Sequence, residues 1–192
     1  MDRAREHRRA WVPPVALATI VVLDLVGALR SWPVVLEGPR DETAHLLTAW
    51  LFLASAVPAD RRRFCGWVLA GAVLLDLDHI PLLLWEVGAA APNGRPVTHG
   101  LVTVLVLLAG AALVRRWRVP LLALALGVGL HLVRDLGTGP GVPLLWPLTP
   151  ASVQVPYVAY LAVVAALTVG AVRAAAPGLP RPSAAAHQVG EP

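Results

Sequence analysis

The chain contains no lysine, one cysteine and few charged residues of either sign. Each scarcity excludes something. With Cys65 alone, neither an intrachain disulfide nor a cysteine metal cluster can form. Charged residues make up 15% against 57% hydrophobic, and the mean hydropathy is +0.66, so the 192 residues are not those of a soluble domain. They fit one domain that crosses a membrane several times. The missing lysine makes all 16 basic residues arginine. With the excess of alanine, valine, glycine and proline, that reflects a GC-rich bacterial genome and says nothing of function. No internal repeat is present.

A bilayer core about 30 Å thick needs about 20 mostly apolar residues per helix. Six stretches qualify: residues 11–29, 43–57, 64–85, 97–114, 119–136 and 155–172, the second of them short. The net charge of +4 raises the question of nucleic acid, but the arginines form no groove-facing stripe. They cluster at 3–9, 61–63 and 115–118, each beside the end of an apolar run, as cytoplasmic loops do. An N-terminus placed inside puts all three clusters and Arg173 inside. The expected architecture is an all-α, polytopic membrane helical bundle of about six transmembrane helices, both termini cytoplasmic, in the bacterial inner membrane. "LVGALRSWP" lacks a small-residue cleavage site, so the first run is expected to stay as a span. Residues 1–173 form the single domain, and the Pro/Ala-rich residues 174–192 a disordered cytoplasmic tail.

The run "LLDLDHIPLLLW" (74–85) carries Asp76, Asp78 and His79 where leucines would be expected. At 1.5 Å of rise per residue, Asp76 to His79 lie about 18 to 22 Å from the inner face, and His131 and Asp135 about 18 and 24 Å. Spans two and four enter from outside, which places Glu42, His45, Arg95 and His99 in their first turns. Four spans therefore deliver ionisable residues to one layer near the outer face. Spacing points the same way. "HLVRD" puts His131 and Asp135 at i and i+4, on one helix face. "DLDH" puts Asp76 and His79 at i and i+3, with Asp78 turned away unless Pro81 distorts the helix. "ETAH" does the same for Glu42 and His45. Histidine and carboxylate pairs one turn apart on several helices are how bundles build metal sites.

A single His or Asp near a helix end more simply snorkels to the interface or satisfies a backbone group. Four of the six histidines in one layer outweigh that reading; His7 and His187 lie in solvated tails. Asp24 is isolated in sequence and could pair with an arginine, line the site or simply cap packing. Arg134 reads either as a flank of the site or as an interface anchor. Trp11, Trp32, Trp67, Trp85, Trp117 and Trp146 sit near span ends, as aromatic belts do.

The motifs "AHLLTAW", "LLDLDHIP", "GRPVTHG" and "HLVRDLGTGPGVPLLWPL" resemble, in order and spacing, the YdjM-like family of bacterial membrane-bound metal-dependent hydrolases, over residues 41–150. The last motif is the most specific, with His131, Asp135, Thr138 and Gly141 in place. Gly94 stands where the family commonly has a histidine, and Gly100 where it has a serine, which implies a different or weaker metal set here. The resemblance implies a hydrolase. Through the family's distant similarity to zinc-dependent phospholipases C and related nucleases, it implies phosphoester hydrolysis.

His45, Asp76, Asp78, His79, His99, His131 and Asp135 exceed the four ligands of tetrahedral zinc. Either two ions bind or some of these residues orient the others. His79, His99, His131, Asp76 and Asp135 are the favoured ligands of a divalent metal, zinc first, with manganese or iron as alternatives. Glu42 is a candidate general base, and Arg95 could grip an anionic group bidentately. The expected substrate is a membrane lipid or a lipid-linked small molecule, not nucleic acid; the oligomeric state is left open. Two other readings stand beside this one. One is a cation-binding or proton-relay, transporter-like membrane protein, weakened by the absence of repeated halves and of polar residues toward the inner side. The other is a degenerate, non-catalytic family member.

Overall fold

Proline and glycine mark several of the helix ends, although Pro13, Pro14 and Pro39 lie inside helices. In the computed structural model, which describes residues 2–58, 63–81 and 94–175, helix α1 (Asp2–Leu29) stops before "RSWP". Helix α2 (Val34–Ala56) opens directly after Pro33 and closes before Pro58. Helix α3 (Cys65–Leu74) tightens into a 3₁₀ turn (Leu75–Asp78), since Pro81 cannot donate to a carbonyl four residues back. Helix α4 (Leu101–Leu113) starts from the extended Gly100, and a 3₁₀ turn (Arg115–Trp117) leads into α5 (Arg118–Gly137). Helix α6 (Tyr157–Ala175) follows Pro156. Among the described residues the chain is helical apart from loops and isolated bridges such as the antiparallel pair Val142 and Val153. Arg61, Arg62, Trp85, the rest of the loop expected up to residue 93, and the tail from residue 176 with His187 fall outside the described residues.

Among the described residues, three helices are long and apolar enough to cross a membrane: Ala10–Leu29, Arg115–Gly137 and Tyr157–Ala175. Helix α4 is apolar but shorter. Two expected placements are corrected. Helix α2 begins well before the apolar run at 43, because Glu37 and Arg40 pair one turn apart and let its polar first half stay helical. Glu42 and His45 therefore lie mid-helix rather than in a first turn. Helix α4 begins at Leu101, after a stretch broken by Pro96 and bounded by Gly94 and Gly100. Arg95 and His99 accordingly sit on an irregular segment ahead of the helix.

Helix α5 is central. It packs on α3, α4, α2 and α6, while α1 packs on α2 and α6. The core mixes small and large side chains: Ala49, Leu53, Val68, Ala72, Ala123 and Leu130 form one cluster, and Ala16, Ile20, Ala44, Leu51, Tyr160 and Val164 belong to another. Large apolar side chains point outward, among them Leu25, Leu29, Leu105, Val106, Val158 and Val169. The charged and imidazole side chains His45, His99, His131, Arg134 and Asp135 are buried. An apolar outside around a polar inside is the arrangement lipid demands.

Helices α3 and α5 approach backbone to backbone. A Cβ on Gly127 would collide with the Val68 carbonyl, and one on Gly71 with the carbonyl of Leu124. A Gly127→Val variant is therefore expected to lose about 1–3 kcal/mol through overpacking. Gly129→Ala, which meets no atom within 4 Å, is the matched control. Thermal unfolding in detergent reads the difference; equal midpoints would rule out the close crossing.

Candidate metal centre

The glycine crossing positions the first imidazole. The last four carbonyls of an α-helix lack partners within it, and the Ala72 carbonyl, in the last turn of α3, accepts from His131 Nδ1 at 2.9 Å. That bond leaves Nε2 as the bare nitrogen, 3.1 Å from Asp135 Oδ2 and 3.4 Å from Asp76 Oδ1. His45, from α2, stacks on His131 with ring centroids 3.7 Å apart and 8° between planes. Its Nε2 is 3.5 Å from Asp135 Oδ1 and 3.7 Å from Asp41 Oδ2, and neither of its ring nitrogens has a hydrogen-bond partner.

The 3₁₀ turn supplies the second half. An ideal α-helix would turn Asp78 away from Asp76, but here both carboxylates face the same imidazoles. His99 Nε2 lies 2.8 Å from Asp76 Oδ1, and its Nδ1 3.2 Å from Asp78 Oδ2. His79 Nδ1 is 3.1 Å from Asp78 Oδ1 and 3.4 Å from Asp76 Oδ1. Thr98 donates to Asp78. The irregular segment 94–100 thus brings His99 and Thr98 over the end of α3, held there by the Leu101 N–H on the Leu144 carbonyl at 3.0 Å.

All seven expected ligands converge. They form two neighbouring groups, Asp76/Asp78/His79/His99 and His45/His131/Asp135, with one ligand atom per residue within 4.8 Å of the others in each group. Asp76 reaches both and also groups with Asp41 and His45. Such groups could hold a metal ion. The chemistry of the donors fits one: His45 Nε2, His131 Nε2, His79 Nδ1, His99 Nδ1, Asp78 Oδ1 and Asp135 Oδ1 are buried without hydrogen-bond partners. Buried nitrogen and oxygen lone pairs left unpaired are costly unless a cation receives them. The carboxylates of Asp41, Glu42, Asp76, Asp78 and Asp135 also outnumber the guanidiniums of Arg95 and Arg134. Glu42, ahead of the apolar part of α2, lies against Asp76; burial, and then the Asp76 charge, push its carboxyl up to about 8.

Two arginines close the site. Arg95 donates to Asp135 Oδ2 at 2.6 Å. Arg134 is 1% exposed, so it is no interface anchor. It donates to Asp24 Oδ1 at 2.8 Å, Asp41 Oδ1 at 2.7 Å and the Tyr160 hydroxyl at 3.2 Å. Tyr157 donates to Asp24 at 2.9 Å, and Tyr160 and Thr48 hydroxyls meet at 2.7 Å. Asp24 thus has its arginine. The sequence reasoning missed Asp41, although "DETAH" sets it four residues before His45, the same spacing read in "HLVRD". Tyr157, Tyr160 and Thr48 carry no comparable signal.

A cavity of about 380 Å³ opens onto the centre, lined by Trp32, Glu42, Asp76, His79, Gly94 and Arg95 among others. A helical membrane bundle with a buried His/Asp centre at one end is the class these features define. The family model of the YdjM inner membrane protein matches residues 41–187, well over half of the chain, and the chain belongs to that family of inner-membrane proteins. No curated protein and no solved structure matches it. Gly94 has φ +82°, and the His/Asp groups close without a ligand from that position.

Metal analysis of the detergent-purified protein tests the centre. Divalent metal is expected in the wild type and none in His131→Ala/Asp135→Ala; equal content in both would sink it. Asp41→Asn should weaken metal affinity about 10–100-fold, as loss of a partner to a ligand does.

Proposed function

We propose that the chain is an integral-membrane, metal-dependent hydrolase of phosphoesters, acting on a membrane lipid or lipid-linked substrate near the outer membrane face. The observation that carries this reading is the convergence of buried, unpartnered imidazole nitrogens on shared carboxylates beneath an open cavity. The proposed topology has six spans and both termini in the cytoplasm. It is supported by Arg63, Arg115, Arg116, Arg118 and Arg173, which lie at helix ends opposite the His/Asp centre.

His79, His99, Asp76 and Asp78 would hold one divalent ion, and His45, His131 and Asp135 a second, with Asp76 reaching both. Imidazole and carboxylate without thiolate suit zinc first, and manganese or iron next. When bound, such ions lower the pKa of water and offset charge on phosphoryl oxygens. The chain's own residues do the rest. The Arg95 guanidinium, at the cavity wall, orients the anionic group of the substrate. Glu42 Oε2 is buried, without a hydrogen-bond partner, on the same wall, and accepts the proton that the attacking water gives up. His131 keeps its Nδ1 proton on Ala72 throughout, so its Nε2 stays aimed at the centre.

A cation pathway would need polar groups that continue to the far end of the bundle. Among the described residues, the buried polar side chain outside the centre and its arginine network is Thr168, which bonds its own helix at Val164.

Glu42→Gln is expected to keep its metal and lose about 10²–10⁴-fold in turnover of phosphoester substrates. A base works only when deprotonated, and its carboxyl is raised from 4.5 to about 8. Turnover should therefore fall as pH drops through an acid limb that lies above the ordinary carboxylate range, since burial is the larger cause of the rise. Glu42→Gln removes that limb; full activity in the variant excludes Glu42 as base. For topology, a cysteine at Ala151 in a Cys65→Ala background should label from outside intact cells, and one at Arg116 should not.

A further inference from the structure

Beside the cavity over the metal centre lies a larger one of about 510 Å³, lined by Asp24, Ala28, Arg40, Arg134 and Tyr157 among others. The two share Glu37, Asp41 and Arg95, so they are chambers of one cleft with Arg95 at their junction. One wall of the larger chamber is α1, which precedes the family match at residue 41. The YdjM motifs therefore do not account for it.

The chamber's arginine and tyrosine donors are largely engaged, while its acceptors keep capacity. Arg134 is engaged through both terminal nitrogens by Asp24, Asp41 and Tyr160. Arg40 donates to the Leu23 carbonyl at 2.8 Å and to both oxygens of Glu37. The Tyr157 hydroxyl is given to Asp24. The carboxylates, each with about four lone-pair sites, retain capacity, and the side chains of Glu37 and Asp41 are 43% and 32% exposed. Charge is close to balanced, with Asp24, Glu37 and Asp41 facing Arg40 and Arg134 while Arg95 pairs with Asp135. These features select the occupant. Leu25, Ala28 and Gly137 give the chamber an apolar wall as well, but an acyl chain filling it would strip water from these charges. A second phosphate would have to displace carboxylates from their guanidiniums. An ammonium group would leave most of the volume empty, since pockets of this size take ligands of drug size. What fits is a neutral group with many hydrogen-bond donors.

We infer that this chamber binds a polyhydroxyl headgroup, of the inositol or sugar type, joined to the phosphoester whose phosphate lies at the metal centre. The phosphoester part rests on the function proposed above. Gly27 supports the geometry: a Cβ there would sit 2.5 Å from the Arg40 guanidinium carbon, so glycine lets Arg40 lie along the α1 wall.

Calorimetry on the full-length protein in detergent, with and without added zinc or manganese, tests this with three soluble probes. They are glycerophosphoinositol, glycerophosphoethanolamine and glycerol 3-phosphate. Glycerophosphoinositol is expected to bind at least about tenfold tighter than the others, the yield of one or two net hydrogen bonds. Ala28→Trp and Leu25→Trp, which fill the chamber from α1, should level the three while leaving metal content unchanged. Equal affinities in the wild type, tightest binding of the ethanolamine probe, no binding of any probe, or a preference that survives both tryptophans would overturn the proposal. A protein that holds no metal yet keeps the inositol preference would uphold the chamber and overturn the hydrolase reading instead.

Discussion

The hydrogen bond from His131 Nδ1 to the Ala72 carbonyl is the contact on which the centre depends. It exists because α3 and α5 cross at glycines, Gly71 and Gly127, with no side chain between the backbones. The crossing brings the frayed end of one helix within reach of an imidazole on the other, one turn beyond Gly127. The bond selects the tautomer, and the tautomer aims Nε2 at Asp76 and Asp135. His45 then stacks on the fixed ring, and its own nitrogens are left for the carboxylates. A packing choice between uncharged backbones thus decides where the ligand lone pairs point.

Much of this was legible in the sequence where the chemistry is local. The spacings in "HLVRD" and "DLDH" placed His131 with Asp135 and Asp76 with His79, and Pro81 warned of the distortion that turns Asp78 inward. Depth along the helices placed His79 and His131 in one layer, whereas His45 and His99 reach it from a mid-helix position and an irregular segment that the apolar runs misjudged. The failures have physical causes. An apolar run locates where lipid begins, not where a helix begins, so α2 extends through a polar half that its Glu37–Arg40 pair sustains. The segment before α4 is held by a distant carbonyl, that of Leu144, which no local pattern reports. Arg134 was ambiguous because its partners Asp24 and Asp41 are 110 and 93 residues away in sequence.

Electrostatically the site has two tiers. Around Arg134, charges are matched by hydrogen-bonded partners of opposite sign. Around Asp76 they are not: imidazoles and carboxylates face one another with lone pairs unspent. The matched tier holds Asp41 in place at the edge of the unmatched one. Rigid surroundings of this kind let a centre keep unsatisfied donors poised without collapsing onto them.

The Arg134 network also bears on how the chain is assembled in the bilayer. Arginine cannot shed its proton to enter an apolar medium, whereas a carboxyl can enter protonated. Asp24 and Asp41 precede Arg134 in the chain, so during synthesis both acceptors are in place on α1 and α2 before α5 emerges. The order of the residues along the polypeptide means that Arg134, which must arrive charged, finds its counter-charges already waiting.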